Sequence, residues 1–346
     1  MEQLTETSVA QPAILTVSTG ISRVLASMNI RASMVAGHSF GQFSALVEAG
    51  VLPFNDALRI VRKRGQAMSQ VKIPGSMLGV VTNTREKILQ IIEEAKPYQI
   101  DIGAYNSPTQ VVFSGASANV EQFQKDISQL PGVKVRMLAT SQAFHSRLMS
   151  EMVAEFMEYV HSFPMQRARI PIILNCSAEK TVDEGAILED IKLQCTETIL
   201  WETTINALLD AGIEHFIEVG PGNTLTKLCW LFQQNISVFS TETPMKLKKM
   251  AELWKKNGRG NAQMFNGNEV ALVMGGSRGI GKAVTKDLAR YGLTVYFTYQ
   301  SNRHAAEEVA EEIGKEDGKG IAVQADLSDE QSIHDLFQQI HSQEKE

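Results

Sequence analysis

Gly37-His38-Ser39-Phe40-Gly41 is the stretch on which the reading of this chain turns. It has the G-x-S-x-G form, in which a serine sits on a tight strand-to-helix turn with its hydroxyl pushed into the open. Residues 32–36 before it read as a short buried strand, and Phe40, Phe43, Leu46 and Val47 after it fall at helical spacing, with Gly50 as the stop. Small residues at 37 and 41 are expected to let strand and helix approach closely. The helix N-terminus beneath Ser39 favours a developing oxyanion. The plain alternative is a serine N-cap in an ordinary turn. Strand before and helix after favour a nucleophile.

The rest of the chain sets bounds on that reading. At 346 residues, two domains are expected rather than one. The 33 Lys and Arg against 39 Asp and Glu leave a net charge of −6, which argues against a nucleic-acid or anionic-membrane partner. Cys176, Cys195 and Cys229 show no C-x-x-C spacing and cannot all pair, which suits a reducing cytoplasm and no metal site. The opening Met1-Glu2-Gln3-Leu4-Thr5-Glu6 is polar and acidic, unlike a signal peptide. No run reads as a membrane span of about 20 apolar residues. A cytoplasmic location is expected.

Between Met77 and Leu138 the pattern is β-α-β-β-α-β. Strands are expected at 77–81, 100–105, 110–114 and 133–138, and helices at 84–95 and 118–130, with Asn106-Ser107-Pro108 as a turn. That order predicts a ferredoxin-like subdomain, about 77–139, inserted in a larger α/β domain spanning 1–240. Residues 241–268 are rich in Lys, Asn and Gly and read as a linker, with a short helix allowed at 245–254. A new β-α-β-α-β-α series fills 269–346.

A serine nucleophile needs a base, and seven histidines compete. His38 lies inside the turn, with its side chain directed away from that of Ser39. His161, His215, His304, His334 and His341 sit in polar or helical settings. His145 differs, because Ser141-Gln142-Ala143-Phe144-His145-Ser146 is a loop where the chain re-enters the larger domain. Arg64 is a second clue. On a helical wheel for 57–68 it falls in the middle of the apolar half, among Leu58, Ile60, Val61, Gly65, Ala67 and Met68. A guanidinium there needs either an internal Asp or Glu or a carboxylate-bearing substrate.

Six motifs in order then resemble one family. They are Gln11-Pro12-Ala13, Gly37-His38-Ser39-Phe40-Gly41, Arg64-Gly65-Gln66-Ala67-Met68, Asn106-Ser107-Pro108, Ala143-Phe144-His145-Ser146 and Glu218-Val219-Gly220-Pro221-Gly222. From Thr5 to about Phe239 the chain resembles malonyl-CoA:acyl-carrier-protein transacylases, including the acyltransferase domains of polyketide synthases. The resemblance implies an α/β-hydrolase-like core with the ferredoxin-like insertion. It implies Ser39 as acylated nucleophile, His145 as base, and a main-chain carbonyl at Gln194 orienting that base. Arg64 would pair with the malonyl carboxylate, and Asn106, Phe40 and Phe144 would surround the acyl group. Ala143-Phe144-His145 favours malonyl over methylmalonyl. Malonyl-CoA and an acyl carrier protein are the implied partners, and acyl transfer needs no cofactor. Gln42 replaces a common Glu, a change expected to matter little. The family's opening strand and Gly-Gln-Gly-Ser-Gln loop have no match in this chain, so the resemblance implies an N-terminally clipped member.

Gly275-Gly276-Ser277-Arg278-Gly279-Ile280-Gly281 follows a strand and opens a helix, a spacing that brings backbone close to a pyrophosphate. With Ala325-Asp326-Leu327, the region from about Glu269 resembles the start of short-chain dehydrogenase/reductases of the β-ketoacyl-acyl-carrier-protein reductase type. The fold implied is a partial Rossmann fold. Gly275, Ser277, Gly279, Ile280 and Gly281 would hold the cofactor phosphates, and Asp326 would contact adenine. Arg278 and Arg303 suit a 2′-phosphate, so NADPH is favoured over NADH. The family's catalytic Ser, Tyr-x-x-x-Lys and Asn-Asn-Ala-Gly motifs are not found, and no hydride transfer is expected.

The leading expectation is therefore a malonyltransferase joined to an incomplete reductase. An acyl hydrolase that clears stalled chains is the second reading, weakened because such relatives replace the arginine matching Arg64. An inactive fragment is the third.

Overall fold

The computed structural model describes residues 6–140, 142–232, 236–256, 270–290, 292–316 and 318–343. Ser141 of the expected base loop and the second half of the expected linker lie outside them. The chain divides into two compact units, one formed by Met1–Val24 and Arg31–Met250, the other by Leu25–Ile30 and Ala251–Glu346.

The first unit contains the expected insertion. Four strands, β1 (Gly75–Thr82), β2 (Asp101–Ser107), β3 (Gln110–Ala116) and β4 (Val133–Met137), form an antiparallel sheet in the order β2-β3-β1-β4. Helices Arg85–Ala95 and Ser117–Ile127 cover one face, burying Ile88, Ile91, Val120 and Phe123 against Leu78, Val80, Val111 and Phe113. Thr84 caps the first of these helices by accepting from the Lys87 N–H. Asn106 and Ser107 belong to β2 rather than to the turn expected there. The pairing with β3 runs on to Ser107, opposite Gln110, so the turn starts two residues later, at Pro108.

Around the insertion, the larger part of the unit has little regular sheet. The strand expected over 32–36 reduces to a single parallel bridge between Val35 and Ile172. Val35 donates to the Pro171 carbonyl and accepts from the Ile173 N–H, while residues 31–33 are exposed. Helices supply the core instead. Leu15, Phe43, Leu46, Ile60, Met68 and Phe156 pack together. Helix Thr7–Ser27 is, by length and composition, apolar enough to cross a membrane, which corrects the expectation that no such stretch exists. In the first unit it serves as a packing helix, with Leu15 and Gln11 buried against the helix Phe54–Ser69. Gly65 permits that approach, because a β-carbon there would strike the backbone of Thr7 and Ser8. Residues 244–256 are helical (Pro244–Lys256), with Met250 and Ala251 buried, so the expected linker is ordered over its first half.

In the second unit, strands Val270–Val273, Thr294–Tyr299 and Lys319–Gln324 form a parallel sheet with Thr294–Tyr299 central. Helices Gly279–Arg290, Arg303–Gly314 and Glu330–Gln343 alternate with them. This is the β-α-β-α-β-α order of a Rossmann half.

Candidate active site

Ser39 sits in a strained left-handed conformation, φ +55°, at the start of the helix Gly41–Glu48. The turn is possible because Gly37 has no side chain: a β-carbon there would collide with the Gly41 backbone and the Gln42 nitrogen. Gly41 has no such role, since a β-carbon on it would meet nothing within 4 Å. That corrects the expectation that both glycines serve close approach. Asn175 clamps the turn from outside. Its Oδ1 accepts from the Ser39 N–H at 2.8 Å, and its Nδ2 donates to the Gly37 carbonyl at 2.9 Å.

Ser39 Oγ lies 2.7 Å from His145 Nε2, so the structure brings the two candidate residues into hydrogen-bond contact. His145 Nδ1 lies 2.5 Å from the main-chain oxygen of Gln194. A carbonyl only accepts, so Nδ1 carries the proton and Nε2 is free to accept the serine hydroxyl. The base loop is held by the inserted sheet. Ser114 on β3 donates to the Phe144 carbonyl at 2.6 Å, and Asp101 on β2 pairs with Arg147. Gly75 on β1 leaves room for Ala143. Burial, with the Arg64 charge second, pushes the His145 imidazole down to about 3.

Arg64 is 2% exposed and pairs with no Asp or Glu among the described residues. Its Nη1 donates to Gln11 Oε1 and its Nη2 to Gln194 Oε1, each at 3.1 Å, and Nη2 reaches Ser39 Oγ at 3.4 Å. Its Nε is buried with no acceptor. Burial lowers the guanidinium to about 10, which leaves it cationic at neutral pH. Ser39, Arg64, Gln11, Phe40, Met68 and Phe144 line a cleft of about 200 Å³. A larger groove of about 540 Å³ lies between helices Ser150–His161 and Glu184–Leu193, and neither Ser39 nor His145 lines it.

Asn106 does not line the cleft. Its Oδ1 lies 2.8 Å from His38 Nε2, and His38 packs against Trp201, so Asn106 braces the residue before the nucleophile instead. Three residues without an assigned role join the site. Gln11 and Asn175 are described above; Asp190, 3% exposed, accepts from Gln42 Nε2 and from the N–H groups of Asn175 and Cys176. Gln42 is fully buried in that network. The one available signal was polarity, at Asn175, which directly follows the apolar run 170–174.

The second unit forms a tight glycine turn at the end of its first strand. Gly275 and Gly279 have φ of +73° and +55°, and a β-carbon on Gly281 would strike the Gly275 carbonyl. The loop is tied to the central strand by Gly275 N–H donating to Thr298 Oγ1 at 2.8 Å. Ser277 is buried and Arg278 exposed, and Ile280 follows in the first helical turn. Arg303 pairs with Glu307 at 2.7 Å, and Asp326 accepts from the Ser328 N–H and hydroxyl. The tight glycine turn fits the phosphates of a dinucleotide. The bond to Glu307 engages Arg303 through its Nε. The described residues hold no cluster suited to a metal, and the three cysteines are free thiols.

Comparison with known proteins gives two family matches: an acyl transferase domain over residues 1–278 and a short chain dehydrogenase over 269–345. The two overlap on the strand Val270–Val273, which pairs within the second unit. The malonyl CoA-acyl carrier protein transacylase of Staphylococcus aureus is 34% identical over 246 residues, 70% of this chain and 79% of that protein. The polyketide biosynthesis protein PksE of Bacillus subtilis is 35% identical over 194 residues, 56% of this chain and 25% of PksE. Among solved structures, the malonyl CoA-acyl carrier protein transacylase of Clostridium perfringens superposes with a TM-score of 0.70 at 26% identity, covering 74% of this chain and 82% of that one. The acyltransferase domain from the second module of the salinomycin polyketide synthase gives 0.66 at 27% identity, covering 76% and 62%.

Proposed function

Because this chain belongs to the acyl transferase domain family, we propose that it moves a malonyl group from malonyl-CoA to the phosphopantetheine thiol of an acyl carrier protein, in fatty acid or polyketide synthesis. One observation carries the choice of acyl group. Arg64 is a buried cation without an acidic partner among the described residues, 3.4 Å from the nucleophile. A carboxylate two bonds from the reacting carbonyl carbon supplies the missing anion.

In the first half-reaction Ser39 Oγ attacks the thioester carbonyl while His145 Nε2 takes the hydroxyl proton. The Phe40 N–H, at the helix N-terminus and with no protein acceptor among the described residues, faces the developing oxyanion. The C–S bond then breaks and CoA leaves with the proton from His145, giving a malonyl-seryl ester. In the second half the carrier thiol loses its proton to His145, attacks the ester, and Ser39 recovers the proton. Substrate also strengthens the base. The Arg64 charge helps depress His145, and a carboxylate seated on Arg64 cancels that influence.

The site roles proposed are Ser39 as nucleophile, His145 as base, Gln194 as its support, and Arg64, Phe40 and Phe144 as acyl contacts. For the second unit we propose a nucleotide-phosphate cradle, favouring NADPH, without hydride transfer. Residues 269–345 contain Tyr291, Tyr296 and Tyr299, none followed four positions on by lysine. NADPH would supply hydride chemistry when bound; this chain's own residues do no more than bind its phosphates and adenine. The domain limits proposed are about 1–250 and 269–346, and the location is the cytoplasm, where acyl carrier proteins work.

Intact-mass measurement after mixing with malonyl-CoA tests the reading. One malonyl adduct is expected on the native chain and none on Ser39→Ala. An adduct that persists in Ser39→Ala overturns the nucleophile, and no adduct on the folded native chain overturns the function.

A further inference from the structure

The direction of hydrogen bonding behind Arg64 can be assigned from its two ends. Arg64 only donates. At the other end both oxygens of Asp190 face donors: the Asn175 N–H at 2.9 Å and Gln42 Nε2 at 2.8 Å on one, the Cys176 N–H at 2.9 Å on the other. Two side-chain amides stand between. With its Nε2 turned to Asp190, Gln42 presents Oε1 to Gln194 Nε2 and to Asn175 Nδ2. Gln194 therefore presents Oε1 to Arg64 Nη2. Donation runs one way, from Arg64 to Gln194 to Gln42 to Asp190.

The four residues are each no more than 3% exposed, and neither charged end has an ion-pair partner among the described residues. An isolated buried charge is costly, and aligned amide dipoles between opposite charges offset that cost. We propose that Asp190 is the remote counter-charge of Arg64, coupled to it through Gln42 and Gln194, and that Asp190 and Gln42 are positioning residues for carboxylate selection. A carboxylate in direct contact would occupy the guanidinium fork and have to be displaced by substrate. A counter-charge two amides away holds Arg64 in place and leaves its Nε without a protein acceptor and its Nη2 turned to Ser39. Asp190 also orders the nucleophile turn, since it holds the Asn175 backbone while the Asn175 side chain holds Ser39 and Gly37. Fork and nucleophile thus share one anchor.

The selectivity part of this proposal rests on the malonyl-transfer reading; the coupling part does not, and two measurements on the full chain separate them. In the first, acylation rates with malonyl-CoA and acetyl-CoA are compared by intact mass. Asp190→Asn should lower the preference for malonyl about tenfold, the effect of one lost charge-assisted hydrogen bond. Adding Gln42→Glu should restore most of it. The carboxylate then stands at position 42, where it accepts from Gln194, Asn175 and the new amide at position 190, and the direction of donation returns. A double variant worse than the single one overturns the positioning role, whereas failure of the native chain to be acylated overturns the malonyl reading alone.

The second measurement is a double-mutant cycle in unfolding midpoint. The loss caused by Asp190→Asn should be at least halved in the Arg64→Met background. Gln42→Met cuts the relay while leaving Asp190 its two backbone donors, and its cost should shrink in the same way. Equal losses in both backgrounds make Asp190 a local loop anchor and overturn the coupling.

Discussion

The main-chain oxygen of Gln194 accepts from His145 Nδ1 at 2.5 Å while its side-chain oxygen accepts from Arg64 Nη2 at 3.1 Å. One residue therefore sets the tautomer of His145 and the orientation of the Arg64 guanidinium. It does so from the C-terminal end of the helix Glu184–Leu193, where Gln194 is the C-cap. A carbonyl at a helix end already carries partial negative charge, which suits support of an imidazole that becomes cationic during the reaction.

Arg64→Met should change selectivity more than rate. A charge-assisted fork to a carboxylate is worth about 1.5–3 kcal/mol, so discrimination of malonyl-CoA over acetyl-CoA should fall about ten- to a hundredfold. Competition between the two thioesters, read by adduct mass, measures this directly. Equal losses on both substrates would make Arg64 a support of the fold instead.

Rate and stability should part company in acid. The unfolded His145 titrates near 6.5 and the folded one at about 3, so between those values only the unfolded chain takes up the proton. Stability is full above pH 6.5 and falls as pH drops through that window, by about 1.4 kcal/mol per pH unit. Burial lowers His38 as well, which adds in the same direction. The thermal midpoint should therefore decline from about pH 7 to about pH 5, and decline less steeply in His145→Gln. Acylation per folded molecule should stay flat over the same range, because the native base remains neutral. A rate that halves near pH 6.5 would contradict the depressed base.

The two glycines of the nucleophile turn should respond oppositely. Gly37→Ala puts a β-carbon into the Gly41 backbone and should abolish acylation. Gly41→Ala meets nothing and lies in the first helical turn, so it should keep activity and stabilise by about 0.5–1 kcal/mol. Adduct formation and thermal midpoints of the two variants decide this, and loss of activity in both would mean that position 41 is as constrained as position 37.

The second unit should bind NADPH without oxidising it. With an acetoacetyl thioester present, NADPH absorbance should stay constant, and Gly281→Ala should weaken binding by closing the turn on the Gly275 carbonyl. NADPH oxidation that disappears in Gly281→Ala would reveal a reductase in this chain.

Local pattern carried the elements whose physics is local. The β-α-β-β-α-β insertion, the G-x-S-x-G turn and the glycine turn at 275–281 each declare themselves over short windows, because periodicity and the missing β-carbon act between near neighbours. Arg64 also stood out on one helix, as a charge on the wrong face. What answers that charge was not legible. Gln11 and Gln194 lie 53 and 130 positions away and Asp190 nearly as far as Gln194, and a hydrogen bond between such residues leaves no periodic trace. The short strand expected over 32–36 failed for the same reason: ladder partners come from elsewhere in the chain, and among the described residues a single bridge to Ile172 answers Val35. Folding brought a buried cation, two amides and a buried carboxylate into line, and burial, which sequence windows do not measure, gives that line its strength.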